Sequence, residues 1–197
     1  MSRTEICFAG FGGQGVVMSG YVIGRACAVN AGQHATLIQS FGPEARGSAC
    51  SATLAISDTE VLYPYVHDYD IFVVMSAEGY EKFGGNMKEG GILIYEKDLV
   101  HPHLKEGQPA YGIPSTRIAE SLGRIIVQNI VMVGFFAAVT KLVPREEIRN
   151  AVKDSVPPGT EELNLKAFDA GYSYYEETYG QEDAAKVGAP AAADTSA

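Results

Sequence analysis

The sequence contains no tryptophan and only three cysteines among its 197 residues. Cys7, Cys27 and Cys50 are scattered, so no CxxC pair and no zinc or iron–sulfur ligand spacing exists. No signal-peptide pattern opens the chain, and the odd set reads as reduced cytoplasmic thiols, each a small buried apolar residue. Basic residues are also scarce, with 15 Lys+Arg against 24 Asp+Glu and a formal charge of −9. That balance argues against nucleic acid or an anionic membrane as the main partner, because both demand a basic face. A small local anion site remains open. A long apolar run is missing too. The most apolar stretch, Ile125 to Val143, contains Gln128, Asn129 and Gly134. Its unbroken part of about ten residues falls short of the ~20 that a bilayer span needs. It reads as a buried helix, packed on a sheet or on a partner subunit. The HxH pair His101 and His103 lacks a third ligand and reads as surface loop.

Apolar residues make up 46% of the chain, enough for one domain that buries about 70% of its unfolded surface without disulfides or a structural metal. That domain is expected over 1–180. Residues 181–197 carry no large apolar side chain beyond Val187 and read as a disordered, acidic, alanine-rich tail. Strands are expected at Thr4 to Ala9, Ala35 to Phe41, Ala49 to Ser57, Asp70 to Ser76 and Gly91 to Glu96. Helical patterns follow the first and fourth strands and dominate from Ser115, read as an N-cap, onward. Alternating strands and helices predict an α/β fold: an open, mostly parallel sheet with helices on both faces, Rossmann-like, with a helical C-terminal part. The first helix should link two parallel strands by a right-handed crossover.

Gly10, Gly12 and Gly15 form GxGxxG between the first strand and the first helix. Glycines there let backbone amides at a helix N-terminus approach a phosphate. Close strand–helix packing is the other role such glycines can serve. A dinucleotide site wants an acid at the end of the second strand, where this chain has Leu37-Ile38-Gln39-Ser40-Phe41, so an NAD or FAD site is disfavoured. No Lys-Ser/Thr follows the glycines, which excludes a P-loop. Through residue 81 the basic side chains are Arg3, Arg25 and Arg46, against eight acids. Arg46, on the loop after the second strand, should emerge at the same sheet edge as the glycine turn, as either an anion anchor or a partner of Glu44.

GFGGQGVVMSG, QSFGPEARGSACSATLAISD, DIFVVMS and QNIVMVGFFAAVTKLV, in this order, resemble the gamma subunit of 2-oxoacid:ferredoxin oxidoreductases, most of all the 2-oxoglutarate type. The resemblance spans about residues 3 to 178; Ser48 stands where related sequences usually carry a second glycine. It implies an enzyme of anaerobic metabolism that decarboxylates a 2-oxoacid on thiamine diphosphate with magnesium, passes electrons through 4Fe–4S clusters to ferredoxin, and releases an acyl-CoA. The implied partners are alpha, beta and delta or ferredoxin-like subunits, which hold the thiamine and the clusters; the isolated chain is expected to be inactive. The gamma chain would complete the assembly and cover the coenzyme A site with Gly10, Gly12, Gly13, Gln14, Gly15 and Arg46. The apolar Ile125 to Val139 helix and the tyrosine-rich C-terminal helix are expected to contribute subunit contacts. Two further readings are a stand-alone nucleotide- or CoA-binding Rossmann-like protein and a carrier of a phosphorylated ligand. The 2-oxoacid itself stays open between 2-oxoglutarate, pyruvate and branched-chain acids.

Overall fold

The computed structural model describes residues 3–41 and 48–181. Arg46, Glu44 and the tail from 182 lie outside the described residues, so the expectations placed on them are not addressed structurally.

Six strands form one sheet: β1 (Thr4–Phe11), β2 (His34–Ser40), β3 (Ala49–Ser57), β4 (Tyr69–Val74), β5 (Met87–Glu96) and β6 (Ala110–Ile113), in the order β2-β3-β1-β4-β5-β6. β1, β4, β5 and β6 are mutually parallel, while β3 runs antiparallel to both β1 and β2. The mostly parallel sheet is therefore as expected, and the direct β1–β2 unit is not. β2 runs parallel to β1 but is separated from it by β3, which pairs with β1 from Thr4↔Ile56 to Phe11↔Ala49. The physical reason lies in the connections. β3 returns the chain to the edge where β1 starts, so β4 can begin on the other side of β1 without an intervening helix.

Side chains alternate between two covered faces. Ile6 and Phe8 of β1, with Ile71 and Val73 of β4, join the larger core. That core is roofed by α1 (Val16–Arg25, extended by a π-helical turn to Asn30), α3 (Ser115–Ser121), α4 (Gln128–Thr140), α5 (Arg145–Ser155) and α6 (Glu161–Thr178). Cys7, Ala9, Phe72 and Val74 point the other way, toward Tyr80 and Phe83 of α2 (Ala77–Phe83) and Val100. No described helix is long and apolar enough to cross a membrane.

α4 is buried from Asn129 to Ala138, which explains why its apolar residues show no single stripe. A Cβ on Gly134 would stand 2.0 Å from the Phe168 carbonyl oxygen, and one on Gly171 would stand 1.9 Å from that of Val131, so α4 and α6 cross with backbones in contact. The tyrosines of α6 pack inward as well: Phe135 meets the rings of Tyr174 and Tyr175 at 5.9 and 6.1 Å. α4 from Asn129 to Ala138 and the inward-facing rings of α6 are thus interior to this chain, while Ile125 and Ile126, just before α4, are 51% and 71% exposed. Ser115 is not the N-cap that the sequence suggested. It is the first residue of α3, and the buried Glu96 carboxylate from β5 takes the capping role by accepting from the Ser115 hydroxyl and from the Thr116 N–H (2.9 Å).

Candidate functional site

β1 leaves the sheet at Phe11, with β3 on one side and β4 on the other, and α1 and α2 depart to opposite faces. Such a switch point at the carboxyl edge of an α/β sheet is where ligands bind. The turn between β1 and α1 occupies it. Gly13 has φ 101° and Gly15 has φ 76°, values that side-chain-bearing residues rarely adopt. Gly15 is the N-cap of α1 and brings no side-chain cap, and no acid lies in the first turn. The Val16, Val17 and Met18 amides consequently have no acceptor within the helix, and the positive end of the helix dipole is uncompensated.

The six residues expected at the site divide into different roles. Gly10 and Gln14 hold the turn from behind. Gln14 accepts from the Phe11 N–H through Oε1 (2.7 Å) and donates to the Met75 carbonyl through Nε2 (3.0 Å), tying the ends of β1 and β4 together. A Cβ on Gly10 would stand 2.7 Å from that Oε1 and 2.9 Å from a Val16 methyl, so close packing accounts for this glycine. Gly12, Gly13 and Gly15 line an open groove of about 710 Å³. Gly13 is exposed, with nothing within 4 Å of the place a Cβ would take. Arg46 belongs to residues 42–47, outside the described set, although the segment's flanks do reach the turn. The Gly12 N–H donates to the Ser48 carbonyl (3.2 Å), and Phe41, 68% exposed, lines the same groove.

A residue that sequence reasoning missed closes the groove. Asn129, in the first turn of α4 and 6% exposed, stands against Gly15 with its Nδ2 3.5 Å from the Gly15 carbonyl. Its Oδ1 has no partner among the described residues. The sequence signal was a polar pair, Gln128-Asn129, interrupting an apolar stretch. A second cavity of about 340 Å³ abuts the first and shares Met18, Ile126 and Asn129 with it.

The groove is built to bind rather than to react. Cys50 is the one thiol on its wall, and burial pushes its pKa up, which keeps it protonated and weakly nucleophilic. Burial also pushes Cys7 and Cys27 up, each to about 12. Cys7 lies on the face opposite to Cys27 and Cys50, and among the described residues no group of three or more His, Cys, Asp or Glu is placed to hold a metal ion. These side chains do not fit an iron–sulfur cluster or a magnesium-bound diphosphate.

The model for the pyruvate ferredoxin/flavodoxin oxidoreductase family matches residues 5–174. The chain is 43% identical to the 2-oxoglutarate synthase subunit KorC of Methanocaldococcus jannaschii, over 89% of this chain and 95% of that one. The keto/oxoacid ferredoxin oxidoreductase gamma subunit of Geobacter sulfurreducens superimposes with a TM-score of 0.76 at 34% identity, covering 86% of this chain and 96% of that one. The 2-oxoglutarate:ferredoxin oxidoreductase of Magnetococcus marinus, solved with 2-oxoglutarate, coenzyme A and succinyl-CoA bound, shares the fold with a TM-score of 0.81 at 24% identity. There the match covers 90% of this chain and 32% of the longer one. With a family model matched over most of its length and a relative similar from end to end, the chain belongs to the pyruvate ferredoxin/flavodoxin oxidoreductase family.

Proposed function

We propose that this chain is the gamma subunit of a 2-oxoglutarate synthase, a cytoplasmic complex that oxidatively decarboxylates 2-oxoglutarate to succinyl-CoA and CO₂ and reduces ferredoxin. The observation that carries this reading is the 43% identity to a KorC subunit along nearly the whole of both chains. The family's cofactors, thiamine diphosphate with magnesium and 4Fe–4S clusters, would sit in alpha, beta and delta or ferredoxin-like partners, consistent with a chain whose thiols are buried apart. The occurrence of this fold as a third of a longer chain supports work as one part of an assembly.

The chain's own contribution is to bind and orient coenzyme A. Gly12, Gly13 and Gly15 expose the amides of the α1 N-terminus to a phosphate group, Gly10 and Gln14 keep the turn in shape, and Arg46 supplies charge. The mixed polar and apolar groove then covers part of the ligand and excludes water from it. An acidic chain can hold an anion this way because backbone amides, rather than a basic surface, make the contact.

Purification of the chain with its partners from the native host, followed by CoA-dependent dye reduction with a panel of 2-oxoacids, tests this function. Expected are thiamine- and cluster-bearing partners and preference for 2-oxoglutarate. Recovery of the chain alone, without such activity, overturns it.

A further inference from the structure

The β3–β4 connection, residues 58–68, presents three large apolar side chains to solvent within four residues. Leu62, 85% exposed, is the most exposed of the described large apolar residues, and Tyr63 and Tyr65 are each more than half exposed. Single exposed apolar residues are ordinary, whereas a contiguous cluster forfeits burial. Burial was within reach, because Val66 of the same loop packs against the smaller core. The pairing Thr4↔Ile56 puts the loop at the edge where β1 starts, opposite to the glycine turn, and none of the three side chains lines the glycine groove.

The cluster is held in its exposed position. The Arg3 guanidinium donates to the Tyr63 carbonyl (2.8 Å) and the Tyr65 carbonyl (2.9 Å) and pairs with Glu5 at 3.0 Å, and Glu5 in turn pairs with Lys88 at 3.0 Å. The rings of Tyr63 and Tyr65 meet at 5.4 Å, and the Tyr63 hydroxyl lies 3.3 Å from Nε2 of His67. A loop fixed in this way pays little ordering cost on association, and aromatic anchors inside a polar rim have the composition of an interface hot spot. The rim carries one sign. Asp58, Glu60 and Asp68 are exposed along it, and no Lys or Arg occurs between Arg46 and Lys82. A second copy of the chain fits poorly, because a twofold contact through this loop sets those acids against their own counterparts, in a chain of net charge −9. A different chain with a basic rim around an apolar recess is complementary.

We infer that the β3–β4 loop is a docking anchor for a partner subunit of different sequence, whose facing surface is an apolar recess rimmed by Lys or Arg. The inference rests on the reading of this chain as one part of an assembly. Leu62, Tyr63 and Tyr65 enter the recess, and the three acids steer the approach. Docking at this edge leaves the glycine turn free, so assembly and coenzyme A binding are separable.

The test titrates the purified chain into the complex prepared without it and follows association by gel filtration and by CoA-dependent turnover. Leu62→Ser/Tyr65→Ser is expected to weaken association at least about tenfold. Glu60→Lys/Asp68→Lys is expected to slow association about tenfold and to flatten its salt dependence. Both variants alter exposed side chains, so the melting temperature of the lone chain should be unmoved, and the KM for CoA at saturating chain should equal that of the wild type. Wild-type affinity in both variants, or a raised KM for CoA at saturation, overturns the docking loop alone. A lone wild-type chain that sediments as a dimer, and as a monomer once Leu62 and Tyr65 are replaced, overturns the choice of partner in favour of a second copy. A wild-type chain that associates with no such complex overturns the function reading and this inference with it.

Discussion

Gly15 and Asn129 are packed so closely that a Cβ on Gly15 would lie 2.6 Å from the Asn129 carboxamide carbon. They come from positions 114 residues apart, and their contact joins the glycine turn to the central helix. Gly15→Ala meets two obstacles: a left-handed backbone that costs roughly 1–2 kcal/mol for a residue with a side chain, and displacement of Asn129. In the assembled enzyme this variant should raise the KM for CoA several-fold while kcat is retained, with a lowered melting temperature. An unchanged KM in a folded variant would detach the turn from CoA.

The α4–α6 crossing gives a prediction about stability alone. Gly134→Ala and Gly171→Ala each drive a methyl group into a backbone carbonyl that cannot rotate away, unlike the usual yielding side chain. Each should destabilise the fold by at least about 2–3 kcal/mol in urea or guanidinium unfolding, the upper range for overpacking. Gly13→Ala has free space around it and should lose only the backbone term, about 1 kcal/mol.

Little of this crossing was legible in the sequence. Gly134 stood out only as a break in an apolar stretch, and nothing local links it to Phe168. The β1-turn-α1 unit was legible, because its signals are local: a short apolar strand, glycines at fixed spacing, an apolar helical face. β3 could be recognised as a strand but not as the partner of β1, since pairing is decided by where the chain must return rather than by alternation. The Glu96 cap on α3 was hidden for the same reason. A carboxylate from another strand replaces the local Ser115 cap, and the Gln128-Asn129 pair looked like an imperfection in a core helix until Gly15 was found beside it.

The thiols should be silent in the native state. Burial raises all three, Cys7 and Cys27 to about 12, so at pH 8 a disulfide reagent such as DTNB should label none of them until the chain unfolds. Because the unfolded thiols ionise near their usual 9.0 while the folded ones do not, stability is fully present below about pH 9 and falls as pH rises toward about 12. Rapid stoichiometric labelling of the native chain would contradict the burial.

Asp169 governs the acid side of α5–α6 packing. Its carboxylate accepts from Arg145 (2.8 Å) and Arg149 (3.2 Å), while Arg145 lies 4.3 Å over the Tyr172 ring. Desolvation raises its pKa, but the bonds to Arg149 and Arg145 together prevail, and the net shift is below the usual 3.8. A depressed carboxylate contributes stability that is present above its unfolded pKa and lost as pH falls through the folded value. Asp169→Asn should therefore lower the melting temperature at pH 7 and flatten the loss of stability below about pH 4; an unaltered acid limb would contradict the role of this pair of arginines.

The central claim, that this chain is the CoA-covering subunit of a 2-oxoglutarate synthase, is tested most directly by reconstitution. The complex is prepared without this chain and its CoA-dependent oxidation of 2-oxoglutarate is measured before and after the purified chain is added back. The expected result is restoration of turnover by the wild-type chain at low CoA, with Gly15→Ala restoring it only at raised CoA. Full CoA-dependent turnover in the complex lacking this chain would contradict the claim.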